Sequence, residues 1–297
     1  MDHAAPDAAA DLAPPAGARP DFLCIGTLKC GTTWLFHNLR HHPRVWIPPV
    51  KELNYFALRY PPPHWHLANN LARLRGIAAA VPSSGAEAPG PRRQRDLACL
   101  GDLGVEPFDD TWYRRLFAHR RAREIAGDIS PHYALLPEAG IRHALALNPA
   151  LKAIALLREP AERALSHMAM HLGPAADEEG LRRLLEGPHW PLYASHSDYA
   201  AWLGRWRALL PEGGLHLETL AGIEAEPLLV LRRICRFLGI PGRPELFPAA
   251  RRRINAGRAE LAVFATLLPE IRARLAPAYA ALEREWPRLA AGFTRTS

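Results

Sequence analysis

No stretch of the chain's 297 residues approaches the run of about 20 apolar residues that a membrane span needs, so no transmembrane segment is expected. The four cysteines, Cys24, Cys30, Cys99 and Cys235, form no CxxC pair and share no ligand spacing with histidine. Neither a zinc site nor a disulfide framework follows from them, and no metal is expected. Internal repeats are also lacking. The opening MDHAAPDAAADLAPPAGARP has neither the basic start nor the apolar core of a signal peptide. A cytoplasmic location is therefore expected, and residues 1–20, rich in Ala and Pro, read as a disordered tail.

What is present supports one large domain or two small ones. Hydrophobic residues make up 48% of the chain, enough for a substantial core, and the net charge is +7. A positive balance favours a polyanionic ligand. Most of that charge is arginine in an Ala- and Pro-rich composition, which weighs little as evidence for nucleic acid.

The strongest local signal is FLCIGTLKCGTTWLF, Phe22 to Phe36. Phe22 to Ile25 form an apolar run suited to a buried strand. Gly26 and Gly31 permit a tight turn and close approach to a ligand. Thr32 and Thr33 open a helix whose first N–H groups have no partner within it and can hold an anion. Lys29 adds a point charge. The nucleotide-hydrolase loop G-x-x-x-x-G-K-S/T matches at both glycines, but Thr32 stands where its lysine would be.

Further along, Asp109 to Arg120 reads as a helix with Trp112, Leu116 and Phe117 on its apolar side. Arg123 to Asp128 reads as a short strand, and Pro137 to Leu147 as a helix. Leu151 to Leu157 is an apolar strand that Arg158-Glu159-Pro160 turns into another helix. This repeats the opening unit, and such alternation implies a parallel sheet flanked by helices, with ligands at the carboxyl ends of its strands. Tyr199 to Leu210 and Leu228 to Leu238 read as helices, the second closed by Gly239. Residues 61–104 have poor periodicity and read as a surface insertion that shapes substrate access. Histidines 41, 42, 167 and 171 read as surface residues, and Trp202 and Trp206 as helix packing.

Three pieces converge on one ligand type: the opening loop, Arg158 with Ser166, and the late basic cluster RRRINAGR from Arg251 to Arg258. With KELNYF (Lys51 to Phe56), GDISPHY (Gly127 to Tyr133) and LLREPAERALSHMAMH (Leu156 to His171), the chain resembles the sulfotransferases that use 3′-phosphoadenosine 5′-phosphosulfate. It is most similar to the branch of heparan-type and bacterial enzymes. The resemblance covers about residues 21 to 258 and implies a P-loop-like three-layer α/β fold, with residues 21–297 as a single sulfotransferase domain.

Carried over residue by residue, the resemblance implies that Lys29, Cys30, Gly31, Thr32, Thr33 and Trp34 hold the 5′-phosphosulfate, with Lys29 near the leaving oxygen. It places Arg158 and Ser166 on the 3′-phosphate, Gly257 and Arg258 on the same donor, and Glu52 as general base. A Lys51 partner or a helix cap is the bland reading of Glu52. Asn54 stands where members acting on heparan-type chains often have histidine, and Ile129 where they often have lysine. The expected acceptor is thus a saccharide or a small natural product bearing a hydroxyl or, less favoured, an amine. A P-loop kinase or nucleotide hydrolase, and a non-catalytic basic nucleic-acid-binding protein, are the alternatives.

Overall fold

Every residue of Phe22–Gly26 is buried, as a strand covered on both faces requires, and this explains a continuous apolar run in place of alternation. In the computed structural model, which describes residues 17–62, 68–80, 90–105, 108–252 and 263–294, this strand is β1. Along the chain follow β2 (Val45–Trp46), β3 (Ile125–Ile129), β4 (Lys152–Leu157) and β5 (Leu215–Thr219). In space the order is β2-β3-β1-β4-β5, and every pairing is parallel. After β1 the chain builds β2 and β3 on one side and then crosses to β4 and β5 on the other. That places β1 at the topological switch, where open α/β sheets bind ligands.

The helices that position the site are α1 (Thr32–Arg40), α2 (Ala68–Ala79), α3 (Pro91–Asp102), α4 (Asp110–Ala118), α5 (Glu138–Leu147), α6 (Pro160–Leu172), α7 (Tyr199–Leu209) and α8 (Pro227–Leu238). The period of two along β1 and β4 sorts their side chains between the two faces. Leu23, Ile25, Ala153 and Ala155 join one core with residues of α4, α5 and α7. Phe22, Cys24, Ile154 and Leu156 join the other with residues of α1 and α8. The result is the expected three-layer α/β fold with a central parallel sheet. No helix among the described residues is long and apolar enough to cross a membrane.

Two boundaries differ from expectation. Ala18 is 3% exposed and its carbonyl accepts from Arg114 Nε at 3.2 Å, so the packed chain begins before residue 21; residues 1–16 lie outside the described residues. The region 61–104 also does more than decorate the surface. Leu74 on α2, Cys99 on α3 and Leu103 are buried in the same core as Trp112 and Leu116. The sequence hides this because Arg92, Arg93 and Arg95 dominate the first turns of α3.

Gly127 shows how closely the sheet is packed. It lies opposite Phe22 in the β1–β3 register, and a Cβ built there would sit 2.1 Å from Phe22 Cζ. Gly127→Ala is expected to cost about 1–3 kcal/mol by overpacking, read as a lower urea midpoint with unchanged slope. Gly76→Ala on α2 meets nothing within 4 Å and is expected to raise stability by about 0.5–1 kcal/mol through helix propensity. Equal midpoints for the two variants would contradict this packing argument.

Candidate active site

Three non-glycine residues among those described adopt left-handed backbone: Lys29 (φ 70°), Glu52 (φ 64°) and Asn54 (φ 56°). Side chains with a Cβ avoid that region, and where they are held in it the surroundings enforce the strain, often at a functional site. Here all three lie in the two loops that meet beyond the carboxyl ends of β1 and β3. Gly31 (φ 90°) precedes α1 without a side-chain cap, so the first N–H groups of α1 remain available.

The first loop is tied to the sheet by Thr27, whose N–H donates to the Leu156 carbonyl at 2.8 Å. Lys29 rises from it partly buried. Burial lowers its ammonium pKa, and the Arg158 charge lowers it further; Cys30 acts the other way, and Lys51 and Arg163 add smaller lowering effects. Among the described residues no carboxylate pairs with Lys29. Positive charge thus accumulates at the mouth of a helix N-terminus, an arrangement that favours an anion. Cys30 is buried and its thiol is pushed up to about 11 by that burial, so it acts as a small packing residue. Thr32 is buried. The Trp34 ring is also buried, and its Nε1–H donates to the Ala250 carbonyl at 2.8 Å.

Lys51 joins the second loop to the first. Its Nζ donates to Thr33 Oγ1 at 3.1 Å and to Glu52 Oε1 at 2.7 Å. Burial pushes the Glu52 carboxyl up, but the Lys51 charge and hydrogen bond, with smaller help from His132 and Arg73, bring it below the ordinary range. The Glu52 N–H donates to the Ile129 carbonyl at 3.0 Å, and Arg73 Nη2 on α2 donates to the Glu52 carbonyl at 2.6 Å.

Behind this loop stands a group the sequence reading assigned no role. The buried Asp128 carboxylate accepts from Ser130 Oγ at 2.8 Å, Tyr113 OH at 2.9 Å and Tyr133 OH at 2.7 Å. Burial raises its pKa to about 6, against the effect of these three hydroxyls. Ser130 Oγ in turn accepts from the Asn54 N–H at 3.0 Å, so the network pins the strained 52–54 segment to the end of β3. Its members stand in the GDISPHY motif and on α4, a signal visible in sequence without its wiring.

Arg158 lies in the turn between β4 and α6. Its Nε and Nη2 donate to Glu162 at 3.1 and 3.0 Å, and its carbonyl accepts from Tyr199 OH at 2.7 Å. Ser166 is buried two turns along α6. Between them Arg163 is fully buried, donating to Ser197 Oγ at 2.6 Å and to the Tyr193 carbonyl at 2.5 Å. The structure therefore brings Lys29 to Trp34, Glu52 and Arg158 to one end of the sheet. Gly257 and Arg258 lie outside the described residues.

The histidines need correction. His42 is buried, with Nε2 2.8 Å from the Pro241 carbonyl, and its ring is stacked on Phe247. His167 is also buried, its ring centroid 5.6 Å from that of His196. Neither is a surface residue, because the chain at Pro241 and Phe247 covers His42, and Tyr193 and His196 cover His167, in segments with no clear period in sequence. His132 is driven down to about 4 by burial, against the pull of Glu52. His196 Nδ1 is 2.8 Å from Thr27 Oγ1. Among the described residues no group of three or more His, Cys, Asp or Glu side chains is placed to hold a metal ion.

Comparison with known proteins agrees with this geometry. A sequence model described as "Sulfotransferase family" matches residues 20–245. Among solved structures the chain is similar to a sulfotransferase from Alicyclobacillus acidocaldarius, with 24% identity, 90% of this chain and 95% of that one covered, and a TM-score of 0.57. It is also similar to a sulfotransferase domain from the curacin biosynthetic pathway, with 18% identity, 77% and 76% covered, and a TM-score of 0.51. At these identities the two likenesses establish the fold alone. No curated protein matches the chain in sequence. The family match spans the sheet, the phosphate-type loop and the Arg158 turn, and the chain belongs to the sulfotransferase family.

Proposed function

We propose that the protein moves a sulfuryl group from 3′-phosphoadenosine 5′-phosphosulfate to an acceptor hydroxyl or amine of a saccharide or small natural product. The observation that carries this reading is Lys29: a partly buried ammonium with no carboxylate partner among the described residues, crowded by Arg158, Lys51 and Arg163 at an uncapped helix N-terminus. A doubly phosphorylated donor fits such a site. Lys29 to Trp34 would hold the 5′-phosphosulfate through loop and helix N–H groups. Arg158 and Ser166 would take the 3′-phosphate, joined by Gly257 and Arg258. Nε and Nη2 of Arg158 are committed to Glu162, leaving the Nη1 edge of the guanidinium for a phosphate oxygen.

The donor supplies an activated sulfur whose bond to the bridging phosphate oxygen breaks as the acceptor oxygen bonds to sulfur. The chain's residues manage charge and protons around that exchange. Lys29 neutralises the negative charge that grows on the leaving oxygen. Glu52 accepts the acceptor proton, and Lys51 holds Glu52 beside Thr33 so that base and donor loop keep a fixed relation. The proposed reaction uses no metal.

Calorimetric titration with adenosine 3′,5′-bisphosphate tests the reading. Wild type is expected to bind it, and Arg158→Ala to bind it about 10- to 100-fold more weakly, the value of a lost charged hydrogen bond. Binding of magnesium-ATP with no binding of the bisphosphate would overturn the sulfotransferase donor assignment in favour of a nucleotide hydrolase or kinase.

A further inference from the structure

A groove of about 530 Å³ opens directly beside Lys51, between Pro49–Lys51 and helices α2 and α3. Its floor and wall carry Val50, Ile77, Leu97 and Leu100, and among them stand the cations Arg73 and Arg93. The carboxylate in the lining, Asp96, is 2.7 Å from Arg40 and neutralised by it. Among the described residues neither Arg73 nor Arg93 forms a close ion pair, although the Glu52 charge acts on Arg73. Arg73 spends hydrogen bonds on the Glu52 carbonyl at 2.6 Å and on Asn70 Oδ1 at 2.9 Å, both neutral acceptors. A surface lined by apolar side chains, cationic at Arg73 and Arg93 and bordered by Lys51, whose Nζ holds Glu52 Oε1 at 2.7 Å, is complementary to one kind of molecule.

We propose that the acceptor is an amphiphilic anion. Its hydroxyl lies at Glu52, its apolar body over Val50, Ile77, Leu97 and Leu100, and its ionised carboxylate, phosphate or sulfate against Arg73 and Arg93. This deepens the sulfotransferase reading and rests on it. The chemistry is the same transfer: the acceptor oxygen gains the sulfuryl group, the bridging phosphate oxygen leaves with its electron pair, and Glu52 receives the proton. Arg93 does no chemistry in this scheme and is specificity-determining: it is an exposed cation in the groove lining and would select the acceptor by charge. Arg73 has a double role, because it also holds the Glu52 backbone.

The test uses ω-hydroxylaurate and its methyl ester, two acceptors with the same apolar body and hydroxyl that differ in one charge. Sulfation of each from the phosphosulfate donor is measured, with bisphosphate binding followed in parallel. Wild type is expected to favour the acid over the ester by about tenfold in kcat/KM, the scale of a charged hydrogen bond. Arg93→Glu is expected to abolish or invert that ratio, and the preference should shrink with added salt. An acid-to-ester ratio of one or below, a ratio unchanged in Arg93→Glu, or sulfation of neither compound by a protein that binds the bisphosphate would each overturn the acceptor assignment and leave the donor reading intact. Absence of bisphosphate binding would instead overturn the donor reading and, with it, this proposal.

Discussion

Lys29→Ala is expected to lower kcat by about 10²- to 10³-fold, the usual cost of removing one preorganised group that stabilises charge in the transition state. Affinity for adenosine 3′,5′-bisphosphate should change less, because Arg158, Ser166 and the N–H groups of α1 remain. Three physical signs distinguish this outcome from simple damage. Alanine inherits the same left-handed backbone at φ 70°, so the substitution adds no new strain. Removing one ammonium from a crowd of cations relieves repulsion, so the melting temperature should hold or rise while turnover collapses, a trade expected where a site stores unfavourable electrostatics. The third sign is in the pH profile. Burial first, and the Arg158 charge next, lower the Lys29 pKa, so the alkaline limb of kcat/KM, which reports the free enzyme, should begin below the ordinary lysine range. A bound anion would raise that pKa again, so the limb in kcat should lie at higher pH than the limb in kcat/KM. Wild-type turnover in Lys29→Ala would refute the assignment.

The elements most legible in sequence were those with a strong local period or a special backbone demand. The apolar runs at 22–25 and 151–157 became β1 and β4, paired side by side. Asp109 caps α4 by accepting from the Trp112 N–H at 2.9 Å, and Trp202 and Trp206 are buried on one face of α7. Gly239 closes α8 at φ 75°. Less legible were elements whose burial depends on distant partners. Helix α3 places a single fully buried residue, Cys99, in the core among arginines, too sparse a signal for periodicity. Residues 173–197 supply the Tyr193 carbonyl and Ser197 hydroxyl that satisfy Arg163, and no pattern in that stretch announces it.

The candidate site divides in the same way. Gly31 and Lys29 announce themselves by residue type and spacing. The bridge from Lys51 to both Thr33 and Glu52 spans two loops that only the sheet brings together. The Asp128 network is the same kind of feature: its aspartate, two tyrosines and serine sit within a motif and a helix, and their convergence comes from the β3 register. Charge and turn chemistry were readable, whereas the left-handed backbone at Lys29, Glu52 and Asn54 and the tertiary hydrogen bonds that fix the geometry were not.

Glu52→Gln separates the two readings of that residue, base or mere partner of Lys51. Glutamine keeps the shape and still offers an oxygen to the Lys51 ammonium, so the loop and its tie to Thr33 should survive. What is lost is the ability to take a proton. If Glu52 is the base, kcat should fall by about 10²- to 10⁴-fold with little change in bisphosphate affinity. The wild-type acid limb should follow the same carboxyl. Burial raises its pKa, but the Lys51 charge and hydrogen bond outweigh burial, so Glu52 loses its proton below the ordinary carboxylate range. Activity should therefore persist into mildly acidic solution and fall only as Glu52 protonates at lower pH. Lys51→Met removes the dominant opposing charge and leaves burial in control, so the acid limb should move to higher pH. A structural partner of Lys51 would give a different pattern: Glu52→Gln near wild-type turnover, and no displacement of the acid limb in Lys51→Met. So weak a base suffices because the acceptor hydroxyl becomes strongly acidic only as its oxygen bonds to sulfur. The transfer then needs a nearby carboxylate held in place more than a basic one, and the Lys51 bridge provides that placement.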